Sequence, residues 1–161
     1  IKRPSAVSTA SLFWLEAAPA TTPKATRSWR RFKTLRRGIP ISFGTESDFS
    51  GEIAHFDPGP FPPIIRFNPG YLSEEAGLLA AVLVHEGTHF QQYLDGRLAD
   101  PNLDTVEDEF PAWWNAAVYW GGVQDQFASS NSAVATTMRA GYNAAQQGEG
   151  ALRDLINSLY N

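Results

Sequence analysis

Cysteine is absent from this chain of 161 residues. That excludes disulfides, Cys-ligated zinc, iron–sulfur clusters and thiol catalysis, and it leaves the redox compartment open. Any metal chemistry has to use His, Asp or Glu. No apolar run approaches the roughly 20 residues that span a bilayer, so a soluble chain with no membrane span is expected. The charged-then-apolar layout of a signal peptide is missing from the N-terminus as given. The chain begins at Ile1 rather than Met, so a preceding segment stays open and the compartment, cytoplasmic or secreted, is undetermined. An excess of basic charge is lacking too. The formal charge of −4 argues against a general affinity for nucleic acid.

What is present is enough to bury a core: 43% of the residues are hydrophobic and 12% aromatic. One domain over residues 1–161 is the simplest division, since no internal repeat or low-complexity block interrupts it. The N-terminal third reads as helical, with Ser8 capping Leu12 to Ala17 and Thr22-Pro23 starting Lys24 to Arg37. Gly38 ends that helix. Arg27, Arg30, Arg31, Lys33, Arg36 and Arg37 alternate there with Trp29, Phe32 and Leu35 at helical spacing, a solvated amphipathic face.

Three short β-type runs follow, Ile39 to Phe43, Glu52 to Phe56 and Pro63 to Asn68, with a Pro-rich stretch from Phe56 to Pro63. They predict a small antiparallel or mixed sheet. Ser73, with Glu74 and Glu75, is a start signal for a helix running to about Leu94, and Gly96 is placed to stop it. Further helices are expected from Asp104 or Thr105 to Trp120, with Pro111 as a kink point, from Asn131 to Gln147, and from Ala151 to Tyr160. The order of helix, small sheet and helices is an α+β arrangement. Trp113, Trp114 and Trp120 are expected to pack the second of these helices against the first.

Ala76 to Val84 is apolar around nearly the whole helix circumference, which marks a helix buried on most sides. A polar cluster follows at once: His85, Glu86 and His89, an H-E-x-x-H motif holding two of the three histidines in the chain. Burying two imidazoles and a carboxylate costs several kcal/mol unless each finds a partner, and a metal ion supplies one. Four residues apart, His85 and His89 lie on one face and can direct both rings at one ion. Glu86 sits about 100° further round, able to miss the ion and reach a water beside it, as a general base requires.

A third ligand has to come from elsewhere. Glu109 is the first choice, with nineteen residues between it and His89 and a place on a separate helix. Glu107 and Asp95 are the competing positions. Glu107 and Glu109 point about 200° apart, so only one of them can face the ion. Asp95 falls where some zinc peptidases place a third ligand after a chain-turning glycine, but Gln92 occupies the position of that glycine.

At these residues the chain resembles the zincin superfamily, and His85, Glu86 and His89 with Glu109 resemble its gluzincin branch. The resemblance covers the active-site helix and the glutamate helix. Thermolysin-like members share the nineteen-residue interval and carry an acidic residue one turn after the ligand glutamate, where this chain has Trp113. The resemblance implies a catalytic zinc on His85, His89 and Glu109, with Glu86 deprotonating a zinc-bound water that attacks a peptide carbonyl. The implied partner is a peptide or protein substrate. It also implies that the strand before the active helix, Pro63 to Asn68, is an edge on which extended substrate pairs. Such sites use a His, Tyr or Arg for the developing oxyanion, for which His55, Tyr142 and Arg139 are the candidates. The alternative expectation is a zinc-stabilised binding or regulatory domain with latent or lost activity.

Overall fold

The computed structural model describes residues 38–45, 47, 49–59, 62–98 and 105–160. The expected helices at Leu12–Ala17 and Lys24–Arg37, with the basic face, lie outside them. Three strands, β1 (Ile41–Phe43), β2 (Ala54–Asp57) and β3 (Ile64–Phe67), form a mixed sheet in the order β1-β3-β2. β1 runs parallel to β3 with Ile41 opposite Ile65, and β2 runs antiparallel with Ala54 opposite Phe67. This corrects one expectation. The run Pro63 to Asn68 is not an edge but the central strand, with both flanks already paired, so no peptide can add to it. Its alternation explains the place: Ile65 and Phe67 are buried, while Ile64 and Arg66 are partly exposed. Arg66 reaches Asp57 across the sheet at 2.7 Å.

Four α-helices follow among the described residues: α1 (Ala76–Leu94), α2 (Val106–Val123), α3 (Ala133–Gln147) and α4 (Glu149–Tyr160). The class is α+β. α1 starts later than its Ser73 signal, because the chain first makes a 3-10 turn at Pro69–Tyr71, capped by the Asn68 side chain. The turn continues as Leu72 N–H donates to the Pro69 carbonyl and Glu74 N–H to that of Tyr71. That leaves Glu75 at the cap position with no side-chain bond. The other end behaves as expected. Gly96 takes φ +64°, and Arg97 N–H closes back on the Gln92 carbonyl at 2.9 Å, a glycine-dependent stop.

α2 begins at Thr105, whose hydroxyl accepts from Asp108 N–H, and it runs on through Pro111. α3 begins at Ser132, whose hydroxyl accepts from Ala135 N–H. α1 lies between the sheet and α2, with Ile65 and Phe67 on one side and Ala116 and Trp120 on the other in one apolar cluster. A second cluster, Trp113, Ala144, Leu152 and Ile156, joins α2, α3 and α4. Trp114 departs from the expected packing: it is exposed and stacks on Phe110 at 5.8 Å instead of facing α1.

Candidate metal centre

All residues of α1 from Val84 to Gln92 are buried, so the polar motif sits where apolar residues would ordinarily be. Two polar ties hold α1 to α2 across it. Asn115 donates to the Thr88 hydroxyl at 3.1 Å, and Gln92 donates to the Asp108 carbonyl at 2.9 Å. Together with the Trp120 contacts they set the helix spacing at which Glu109, on the first turn of α2, faces the two histidines.

The three side chains meet closely. His85 Nε2 lies 3.3 Å from Glu109 Oε2, His89 Nε2 lies 3.2 Å from Glu109 Oε1, and the two Nε2 atoms are 3.2 Å apart. One donor atom from each residue falls within 4.8 Å of the others, so this buried group could hold a metal ion. The donor chemistry fits. Two imidazole nitrogens aimed at one another and at one carboxylate leave lone pairs converging on a single point, and three protein donors are the number a catalytic zinc takes. His85 packs edge-on against Trp113 at 5.3 Å, and its Nδ1 has no hydrogen-bond partner among the described residues. Ring packing therefore orients His85 where a hydrogen bond from its Nδ1–H to a carboxylate was the alternative.

The electrostatics of the cluster follow from its burial. Burial by itself raises the Glu109 carboxyl, but the His85 and His89 imidazoles 3.3 and 3.2 Å away outweigh it and hold the group well below 4.5. For His89 burial acts downward, and the nearby carboxylates of Glu109 and Glu86 reverse it, so the imidazole of the metal-free protein ends above 6.5. Glu86 goes the other way. Burial lifts its carboxyl above 4.5 and, with Glu109 beside it, exceeds the lowering by His85, His89 and His55. Two adjacent carboxylates are thus pushed apart, one kept as an anion and the other held ready to carry a proton.

Of the positions weighed for the third ligand, the structure brings Glu109 to the histidines and not the others. Glu107 points outward to Arg153 at 2.6 Å, and Asp95 is taken up by Gln91 and Arg97 at the end of α1. Of the oxyanion candidates, His55 on β2 shares the sheet face of its partner Arg66, opposite to the face on which Phe56 packs against Phe90 of α1, with its Nδ1 3.3 Å from Glu52 and its ring on Phe49. Arg139 donates to the Phe127 and Ser130 carbonyls, away from the cluster. Tyr142 is also not brought to the cluster. Its ring lies against Gly121, a site about 18 Å along α2 from Glu109 at 1.5 Å per residue.

A tyrosine that the sequence reading passed over is there instead. Tyr160, one turn after the buried Ile156 on α4, directs its hydroxyl at Glu109 and Trp113. The approach is loose, since Trp113 Nε1 has no partner at hydrogen-bonding geometry. Burial and then the charge of Glu109 push the phenol far up, although the residue as a whole is 38% exposed. The hydroxyl therefore stays protonated and can only be a donor to an anion. Leu152 and Ile156 are the buried residues of α4, and nothing in their spacing says that Tyr160 docks beside Glu109.

Comparison with protein-family models, curated proteins and solved structures finds no match for the chain. Among the described residues no helix is long and apolar enough to cross a membrane.

Proposed function

We propose that this protein is a zinc-dependent peptidase of the gluzincin-like kind, hydrolysing peptide bonds with His85, His89 and Glu109 as the zinc ligands. The observation that carries the reading is the fourth side chain: Glu86, buried beside the ligand group and raised toward neutrality, is one more carboxylate than a structural metal needs. A structural site closes its coordination with a fourth protein ligand, whereas here the fourth side chain, Glu86, stands on the neighbouring face of α1. A bound zinc supplies Lewis-acid polarisation of the scissile carbonyl and acidifies a water. Glu86 takes the proton from the attacking water and returns it to the leaving amine nitrogen, a two-way role suited to a carboxyl lifted above its ordinary range. Tyr160 is the group that can donate to the developing oxyanion, from α4. Trp113 excludes water from the His85 side of the cluster.

The test is cleavage of a peptide library by the purified chain. Activity is expected with zinc, lost on chelation and restored by adding zinc back. In Glu109→Ala the zinc affinity is expected to fall by at least about tenfold. A wild-type chain that takes up zinc but cleaves nothing would contradict the peptidase reading, and unchanged zinc affinity in Glu109→Ala would contradict the ligand set.

A further inference from the structure

Gln92 stands three residues after His89, buried on the face of α1 that meets α2. Its amide makes two bonds of opposite kind. The Nε2 end donates to the Asp108 carbonyl at 2.9 Å, and the Oε1 end lies 3.0 Å from His89 Nδ1. These bonds determine each other. A backbone carbonyl only accepts, so the nitrogen end of the amide must face Asp108 and the oxygen end must face His89. An amide oxygen also only accepts, so His89 Nδ1 carries the hydrogen. The lone pair of His89 is then left on Nε2, the atom that faces His85 Nε2 and Glu109 Oε1. Asp108 is the residue directly before Glu109, so the same amide holds the backbone next to the carboxylate ligand.

We infer that Gln92 is the positioning residue of the metal centre: it fixes His89 in the form that ligates through Nε2 and ties that ligand to the turn of α2 that carries Glu109. The inference rests on the metal-centre reading above. It also accounts for an amide at position 92. A carboxylate there could hold His89 but has no hydrogen to give the Asp108 carbonyl, and an apolar side chain could do neither.

The experiment is zinc titration against a competing chromophoric chelator, for the wild type, Gln92→Met and Gln92→Glu. It is paired with NMR observation of the His89 ring N–H in the zinc-loaded protein. Gln92→Met, similar in length and lacking both bonds, is expected to weaken zinc binding about 10–100-fold and to lose the slowly exchanging Nδ1 proton signal. Gln92→Glu keeps the acceptor. Having lost the donor to the Asp108 carbonyl, it should bind zinc more weakly than the wild type but by less than about tenfold, with the Nδ1 proton retained. A helix-spacing role alone would weaken both variants alike. Zinc binding by Gln92→Met equal to the wild type, or Gln92→Glu as weak as Gln92→Met, overturns the inference. Should Gln92→Met fail to fold, the wild type and Gln92→Glu still decide, because zinc on Nδ1 of His89 in either one is incompatible with the proposed role. A wild-type chain that binds no zinc overturns the metal centre itself and is recognisable as a different failure.

Discussion

At the residue scale, Glu86 and Glu109 are two buried carboxyls one turn of chemistry apart, and their neighbours assign them opposite states. The pH behaviour of the metal-free protein follows from the directions of their shifts. Glu109 is depressed, so its contribution to stability is in place above about 4.5 and is lost as pH falls through its lowered value. His89 and Glu86 are raised. Their contributions are in place below about 6.5 and 4.5 respectively and are lost as pH rises through their raised values. The metal-free chain is therefore expected to melt at a lower temperature at pH 8 than at pH 5.5. The stabilisation given by zinc should grow over the same interval, because a ligating imidazole must first lose its proton. Thermal unfolding with chelator and with zinc at both pH values checks this, and zinc stabilisation that shrinks as pH rises would contradict the cluster chemistry.

Tyr160 makes a prediction of its own at this scale. Because its hydroxyl is held protonated beside Glu109, Tyr160→Phe should cost roughly tenfold to a hundredfold in kcat while leaving the zinc affinity near the wild-type value. A change in zinc affinity with kcat untouched would instead make the hydroxyl a partner of the ligand alone.

At the scale of elements, the ligand geometry depends on how α3 lets α2 approach α1. Gly141 on α3 is the contact that decides it. A Cβ there would stand 2.7 Å from Trp113 Cε3 and 2.8 Å from Cζ3, and Trp113 is the ring that packs on His85. Gly141→Ala gains up to about 1 kcal/mol of helix propensity. Forcing a buried indole aside costs about 1–3 kcal/mol, so the overlap should win. The variant is expected to be less stable to urea and to bind zinc more weakly, whereas Gly122→Ala, with nothing within 4 Å, should do neither. A stabilised Gly141→Ala with full zinc affinity would show that Trp113 does not hold His85.

Much of this layer was legible in the sequence, for physical reasons that differ between elements. Two helices of the second half carry start or stop residues that work locally, Thr105 and Gly96, and each is found at its terminus, whereas the cap of α3 is Ser132, one residue after the expected start at Asn131. The H-E-x-x-H spacing is a property of one helix, so it transfers directly to space. Glu109 was reachable by interval, and the outward ion pair of Glu107 with Arg153 removes its rival. The central place of β3 was not legible, because strand order is decided by which chain segments return to pair, and Ile64 to Phe67 reads the same at an edge or in the middle. Tyr160 was missed for the same kind of reason: its neighbour, Glu109, is 51 positions earlier in the chain.

At the scale of the whole molecule, the sheet, α1 and the three later helices form a layered support around one buried polar cluster. Apolar packing on both sides of α1, from Ile65 and Phe67 to Trp120, bears the cost of keeping His85, Glu86, His89 and Glu109 out of water. That arrangement gives the cluster a low-dielectric surrounding, in which Glu109 is held below, and Glu86 and His89 above, their ordinary values. What Glu86 does there decides whether the cluster is catalytic. The most direct measurement is the rate of peptide-bond cleavage by Glu86→Gln and by the wild type, at equal and verified zinc occupancy. The prediction is undiminished zinc and a rate lower by about 10²–10⁴; a Glu86→Gln protein that holds its zinc and cleaves at the wild-type rate would contradict it.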